Sequence, residues 1–64
     1  MVGNHPFIIK IEQDPERERR YLWIIYEGAR LRERSAHSYA TIRHAKADAE
    51  RFMQRLITIW QSNK

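Results

Sequence analysis

The sequence contains no cysteine and only two glycines and two prolines among its 64 residues. No disulfide is available to stabilise the chain, and three scattered histidines without thiolates do not predict a structural zinc site. A domain of this length buries only about 60% of the surface that its unfolded chain exposes. We therefore expect a thin core that depends on helix-on-sheet packing or on association with another chain.

Long apolar segments are also missing, since none approaches the roughly 18 to 20 residues of a membrane-spanning helix. The first residues lack the basic start and the apolar region of a signal peptide. These two features predict a soluble, cytoplasmic protein without a membrane partner. The net charge of +4, from 12 basic and 8 acidic residues, is ordinary for a small soluble domain.

The first strand is predicted over residues 6–13, where apolar and polar residues alternate. The following segment, 14–20, joins a turn-forming Asp-Pro pair to dense mixed charge, which predicts a solvated turn between antiparallel neighbours. Its carboxylates lack the spacing of a calcium-binding loop. In the strand predicted over residues 6–13, the alternation places Phe7, Ile9 and Ile11 on one face and Ile8, Lys10 and Glu12 on the other.

Two further strands and a helix complete the predicted fold. Residues 21–27 are apolar or aromatic in both side-chain sets, which indicates a central strand, and 30–35 return as a charged edge strand after a turn at Gly28. From Thr41, the expected N-cap, the apolar period becomes 3.6 and predicts a helix over 42–60. Its apolar stripe consists of Ile42, Ala45, Ala49, Phe52, Met53, Leu56, Ile57 and Trp60.

This order of elements predicts one α+β domain over residues 1–64. Its sheet is a three-stranded antiparallel meander, and the C-terminal amphipathic helix packs on one face, in the order βββα.

The register of the second hairpin decides which residues share a face with its arginines, which are Arg30, Arg32 and Arg34. A two-residue loop places Tyr26 opposite Leu31, and the arginines then share a face with Trp23 and Ile25. A three-residue loop places Ile25 opposite Leu31 instead. We expect Leu31 to turn toward the helix, so that the arginines point away from the helix in either register.

The outer side of the sheet is thus expected to be both basic and apolar, because one helix covers only one side. In the three-residue register the interaction face consists of Arg30, Arg32, Arg34, Leu22, Ile24 and Tyr26. A second copy of the chain could cover this apolar row, DNA or RNA could bind the arginines, or the arginine stems could lie over the row with no partner. We favour a homodimer, with nucleic-acid binding as the alternative.

Residues with catalytic potential do not form a recognisable site. His5, His37 and His44 lack metal-ligand spacing, and the placement of Ser35 and Ser38 near His37 in one loop is not the geometry of a catalytic triad. We therefore predict no enzymatic activity, catalytic residue, cofactor or small-molecule substrate.

Residues 21–53, YLWIIYEGARLRERSAHSYATIRHAKADAERFM, resemble the short YegP-type domain of uncharacterised bacterial proteins. In that family an aromatic strand leads to a glycine turn, a returning strand ends near a serine, and a tyrosine precedes the helix. The resemblance implies a small α+β unit, used as a dimer or in tandem, with no established activity. It assigns Gly28 to the turn, Tyr39 to packing before the helix and Thr41 to the cap.

Overall fold

The computed structural model describes residues 5–63. The chain forms β1 (Phe7–Gln13), β2 (Tyr21–Glu27), β3 (Arg30–Arg34) and α1 (Ile42–Ser62). The strands make one antiparallel sheet in the order β1-β2-β3, and α1 packs on β1 and β2. This confirms the predicted βββα fold, with boundaries that differ from the predicted ones by two residues at most. Both ends of the predicted domain, 1–64, lie outside the described residues.

The core lies between α1 and the inner face of β1 and β2. β1 pairs with β2 in a regular register that sets Ile9 opposite Ile25 and Ile11 opposite Trp23. Trp23 and Ile25 are fully buried, and the Trp23 ring packs on Phe52 of α1 with 5.1 Å between centroids. The predicted alternation of β1 is confirmed, because Phe7, Ile9 and Ile11 pack in the core while Ile8 and Lys10 between them are exposed.

The small residues of α1 allow the helix to lie close to the sheet. Ala45 and Ala49 are completely buried, and Ile57 is also in the core. Thr41 caps the helix as predicted, since its hydroxyl accepts the His44 backbone N–H at 3.1 Å. The predicted apolar stripe is wrong at Ile42, the first residue of α1, which is 52% exposed.

The hairpin between β2 and β3 has a two-residue loop, Gly28 and Ala29. Gly28 has a φ of 62°, whereas Ala29 has no positive φ, a combination that fits a type II′ turn. Next to the turn, Glu27 pairs with Arg30 and Tyr26 pairs with Leu31. The positive φ predicted at Gly28 is confirmed. The loop has two residues, which is the shorter of the two loop lengths predicted from the sequence.

A β-bulge then shifts the register of β3. Ile25 pairs with Glu33 and Ile24 with Arg34, so Arg32 is the additional residue in the edge strand. Because the bulge inserts one residue, it changes which face each later side chain of β3 joins. Neither of the two registers considered from the sequence contains this shift.

Candidate functional site

The outer face of the sheet, which turns away from α1, is not covered by any element among residues 5–63. Two of its apolar side chains are strongly exposed, Ile8 at 61% and Leu31 at 48%. The apolar side chains of β2 on this face are half-buried. We define the outer face by the register as Ile8, Lys10, Glu12, Leu22, Ile24, Tyr26, Leu31 and Arg34.

The expectation that Leu31 turns toward the helix is wrong. Leu31 lies opposite Tyr26, and residues that face each other across an antiparallel pair project to the same side of the sheet. The inner position would also offer Leu31 little to pack against, because α1 lies over β1 and β2 and not over β3. Leu31 therefore adds to the apolar character of the outer face.

The three hairpin arginines do not share one face, so the predicted arginine-rich face is wrong. Arg30 pairs with Glu27, which lies on the same side of β2 as the buried Ile25. Arg32, at the bulge, forms an ion pair with Glu27, with 3.3 Å between its Nε and Oε1 of the glutamate. Only Arg34, beyond the bulge and opposite Ile24, joins the outer face.

The charges of the outer face are mixed. Lys10 and Glu12 form an ion pair of 3.5 Å on β1, and both side chains are exposed. Arg34 lies on the opposite edge strand. The face therefore combines an apolar centre with charges of both signs at its edges, a composition typical of a protein-binding surface.

A second feature, which we call the sheet-end cleft, lies where β2 begins and β3 ends. Antiparallel neighbours bring these two strand ends together, so the 14–20 turn and the 34–38 loop meet at one end of the sheet. The cleft has a volume of about 440 Å³. It is lined by residues 14–17 and 34–38 together with Arg20 and Leu22.

Arg20 connects the two segments of the sheet-end cleft. Its Nε donates to the Ser38 hydroxyl at 2.7 Å, and its Nη2 donates to the Ser38 carbonyl at 2.6 Å. The backbone N–H of Asp14 donates to the Arg20 carbonyl at 2.8 Å and closes the turn. Arg19 between them has a φ of 62°, which is unusual for a residue other than glycine.

A hydrogen-bonded chain of side chains connects the sheet to α1. The indole Nε1–H of Trp23 donates to the Tyr39 hydroxyl at 3.2 Å, and that hydroxyl donates to a carboxylate oxygen of Asp48. The other carboxylate oxygen accepts from Nη2 of Arg51 at 3.4 Å. Tyr39 also pairs with Tyr21 through two backbone hydrogen bonds of 2.8 Å. The family resemblance assigns Tyr39 to packing before the helix, and Tyr39 also forms these hydrogen bonds.

The pKa values of this pair move in opposite directions. The hydrogen bond from Tyr39 is the main cause that lowers the pKa of Asp48, with smaller contributions from Trp23, Arg51 and His37, while burial opposes the shift. Burial is the main cause that raises the pKa of Tyr39, and the hydrogen bond to Asp48 adds to it. The arrangement therefore favours a neutral tyrosine that donates to an ionised aspartate.

The residues considered for catalysis are held in structural contacts. The Ser35 hydroxyl accepts the backbone N–H of Trp23 at 3.3 Å, and Ser38 binds Arg20. The His5 Nδ1 accepts the backbone N–H of Phe7, and the His37 ring contacts Tyr39. His44 lies exposed on α1. His37 and His44 line one open cleft beside Asp48, and His5 is not among its lining residues.

Sequence reasoning missed the roles of Arg20, Ser38 and Asp48. The sequence pattern places Arg20 in a charged turn and offers Ser38 only as a nucleophile. One signal was present, because an antiparallel meander must bring the segment before β2 next to the segment after β3. No comparable signal in the sequence points to Asp48. Its partner, Tyr39, lies in the loop before α1 and forms an isolated β-bridge with Tyr21.

Comparison with protein-family models, with curated proteins and with solved structures finds no match for this chain. The YegP-type resemblance stays a prediction, and the roles of residues here rest on geometry alone. Within the described part of the chain, no helix has both the length and the apolar composition required to cross a membrane.

Proposed function

We propose that this protein is a non-enzymatic interaction module that forms a homodimer through the outer face of its sheet. One observation carries the proposal. α1 covers only the inner face, while Ile8 and Leu31 stand exposed on the other side at 61% and 48%. A second copy would remove these side chains from water and would support a core that is thin in the single chain.

The size of the outer face predicts how strong the association is. β1 and β2 are seven residues long and β3 is five. At about 3.3 Å per residue and about 4.8 Å between strands, the face covers on the order of 300 Å². Stable interfaces bury about 800 Å² per partner. We therefore expect a weak dimer that dissociates on dilution, rather than an obligate one.

The charges on the outer face suit a contact with a second copy. In a two-fold interface the same surface meets itself, so a lysine on one copy can meet a glutamate on the other. The face offers both, because Lys10 and Glu12 lie two residues apart on β1 with their side chains 3.5 Å apart. Exchange of this ion pair between copies would keep both charges paired at the rim of the apolar contact.

The proposal is tested by measuring the mass of the protein in solution over a wide concentration range. Light scattering or sedimentation should show a rise from monomer to dimer. Ile8→Glu or Leu31→Glu should keep the protein monomeric, because each places a carboxylate in the apolar contact. Circular dichroism should show an unchanged fold, since both positions are exposed.

Ile59→Glu is the matched control. Ile59 is 55% exposed on α1, so this variant introduces the same glutamate at an exposed apolar position away from the outer face. It should dimerise like the unchanged protein. A monomeric mass at near-millimolar concentration would overturn the proposal. So would a dimer that Ile59→Glu disrupts and that the two outer-face variants leave intact.

The geometry of the hairpin disfavours nucleic-acid binding through an arginine-rich sheet face. Arg30 and Arg32 lie with Glu27 on the other side of the sheet, so a strand of DNA or RNA on the outer face would meet only one of the three hairpin arginines. The same face carries Glu12, which repels phosphate.

A further inference from the structure

The sheet-end cleft is lined by three arginines from separate parts of the sequence. They are Arg17 in the turn, Arg20 before β2 and Arg34 at the end of β3. Two carboxylates, those of Asp14 and Glu16, line the same cleft. Because the guanidinium groups outnumber the carboxylates, the cleft has an excess of positive charge without any ligand.

Arg20 is held in place before any ligand binds. Its two short hydrogen bonds to Ser38 fix the guanidinium plane against the opposite loop. A guanidinium group has five N–H donors, so these two bonds leave further donors of Arg20 for another acceptor. Ordering a long side chain in advance reduces the entropy that a ligand must otherwise overcome on binding.

The other two arginines are free to bind a ligand. Among residues 5–63, the side chains of Arg17 and Arg34 form no hydrogen bond or ion pair, and both are exposed. Of the two carboxylates, Asp14 is engaged locally, because its Oδ1 accepts the backbone N–H of Glu16 at 2.9 Å. The cleft thus offers unpaired guanidinium donors beside a carboxylate that is already hydrogen-bonded.

The backbone of the turn has an unusual conformation at this position. Arg19 adopts a φ of 62°, next to the arginine that is tied to Ser38. An L-residue in the left-handed region is disfavoured on average, and such residues occur more often at binding sites than elsewhere. The positive φ lies in the segment that delivers Arg20 to the cleft.

We propose that the sheet-end cleft binds the phosphate group of a small molecule, either inorganic phosphate or a phosphomonoester. Planar guanidinium groups match the oxygens of phosphate and can each donate two hydrogen bonds to it. A dianion suits an excess of positive charge that comes from side chains on both walls of the cleft. Arg20 provides the fixed donor, and Arg34 and Arg17 close on the anion from the rim.

A polynucleotide backbone fits the same surface less well. Single-stranded nucleic acids bind along a continuous basic groove lined with exposed aromatic side chains. On the side of Leu22, the cleft borders the apolar outer face. Asp14 and Glu16 stand on the side of the turn. The cleft is therefore suited to one phosphate group rather than to a chain of them.

The test is a titration followed by the backbone amide resonances of the full chain at low salt. The probes are inorganic phosphate, a nucleoside monophosphate and a single-stranded oligonucleotide. Inorganic phosphate and the monophosphate should give saturable shifts at residues 14–20 and 34–38. A monophosphate that binds more tightly than inorganic phosphate would identify a phosphomonoester as the ligand class, and equal affinities would identify the phosphate group alone.

Arg34→Gln should weaken phosphate binding about tenfold, the factor expected for the loss of one charge-assisted hydrogen bond. Arg34 has no internal partner, so this variant should fold normally, whereas substitution of Arg20 would also break the contact with Ser38. Arg43→Gln is the matched control, since Arg43 is exposed on α1 away from the cleft. It should bind like the unchanged chain.

Three results would overturn the proposal. These are an absence of saturable shifts with inorganic phosphate, equal affinity in the Arg34→Gln and Arg43→Gln chains, and binding of the oligonucleotide without binding of phosphate. The titration is repeated with the Ile8→Glu chain, whose outer-face contact is removed. Phosphate binding should persist there, which separates this site from the proposed dimer.

Discussion

The hydroxyl group of Tyr39 donates a hydrogen bond to the carboxylate of Asp48 while it accepts one from the indole of Trp23. The three residues come from β2, the loop before the helix and α1, so this chain of hydrogen bonds ties the helix to the sheet. Trp23 is 1% exposed, and its indole N–H would lose a protein partner without the tyrosine hydroxyl.

Tyr39→Phe should lower the free energy of unfolding by about 1 to 3 kcal/mol, because the buried indole N–H loses its acceptor and Asp48 loses a donor. Tyr21→Phe is the matched control, since Tyr21 also packs against the core but its hydroxyl makes no hydrogen bond within residues 5–63. Urea unfolding measures both. Equal losses in the two variants would contradict a structural role for the Tyr39 hydroxyl.

The opposite pKa shifts of Asp48 and Tyr39 predict a stability plateau between acid and alkaline pH. Asp48 has a pKa below its ordinary value of 3.8, so its contribution is present above that value and is lost as the pH falls through the lower native pKa. Tyr39 has a pKa above 10.0, so its contribution is present below that value and is lost as the pH rises through the higher native pKa.

Asp48→Asn isolates the acid side of this profile. The amide oxygen can still accept from Tyr39, but it does not titrate, so the variant should lose less stability than the unchanged protein as the pH is lowered. Urea unfolding at a series of pH values measures the difference between the two chains. If the free energy of unfolding falls equally in the two chains as the pH is lowered, Asp48 has the same pKa in the folded and unfolded states.

Gly28→Ala should destabilise the protein by about 1 to 2 kcal/mol, because an L-residue is strained at the first central position of a type II′ turn. The cost is conformational rather than steric, since a Cβ at Gly28 would meet no atom within 4 Å. Ala29→Ser, at the neighbouring position without positive φ, should change stability by less than about 0.5 kcal/mol. An unchanged melting temperature in Gly28→Ala would refute this assignment of the turn.

Arg19→Gly should have the opposite effect and raise the free energy of unfolding by up to about 1 kcal/mol. Glycine relieves the disfavoured φ of 62° at this position, and the gain is reduced by the greater freedom of glycine in the unfolded chain. Arg19→Ala keeps the strain and removes the same side chain, so it is the matched control. If both variants have the same stability, the backbone at Arg19 is not strained.

Ala49→Leu should destabilise the protein by about 1 to 3 kcal/mol, because the added side chain must enter the contact between α1 and the sheet. Ala49 is 0% exposed, whereas Ala47 lies on the exposed side of the same helix. Ala47→Leu should leave the unfolding free energy within about 0.5 kcal/mol of the original. Thermal and urea unfolding measure both, and tolerance of leucine at Ala49 would mean that α1 lies farther from the sheet.

Much of the fold follows from local patterns. The alternation in β1, the apolar character of β2 and the change to a 3.6-residue period after Thr41 predict three strands and a helix within two residues of the observed bounds. Gly28 and Thr41 predict the turn and the cap because each has a local stereochemical role. These features depend only on neighbours in the sequence.

The face occupied by each β3 side chain required the tertiary structure. The sequence pattern suggested that Leu31, the only large apolar residue of β3, would turn toward the helix. Because α1 lies over β1 and β2, it offers Leu31 no apolar surface to pack against. The bulge at Arg32 then places Arg34 and Arg30 on opposite faces of the sheet. Both effects arise from pairing and packing between distant segments, which a local period does not contain.

The type and order of the elements follow from the amino-acid sequence alone, because helix and strand periodicity are properties of contiguous residues. Which side chains meet depends on the three-dimensional arrangement of the elements: Arg20 with Ser38, Tyr39 with Asp48, and Leu31 with Tyr26 on the outer face. Such contacts depend on the register between strands and on where the helix lies, and a shift of one residue in β3 moves a side chain to the opposite face of the sheet.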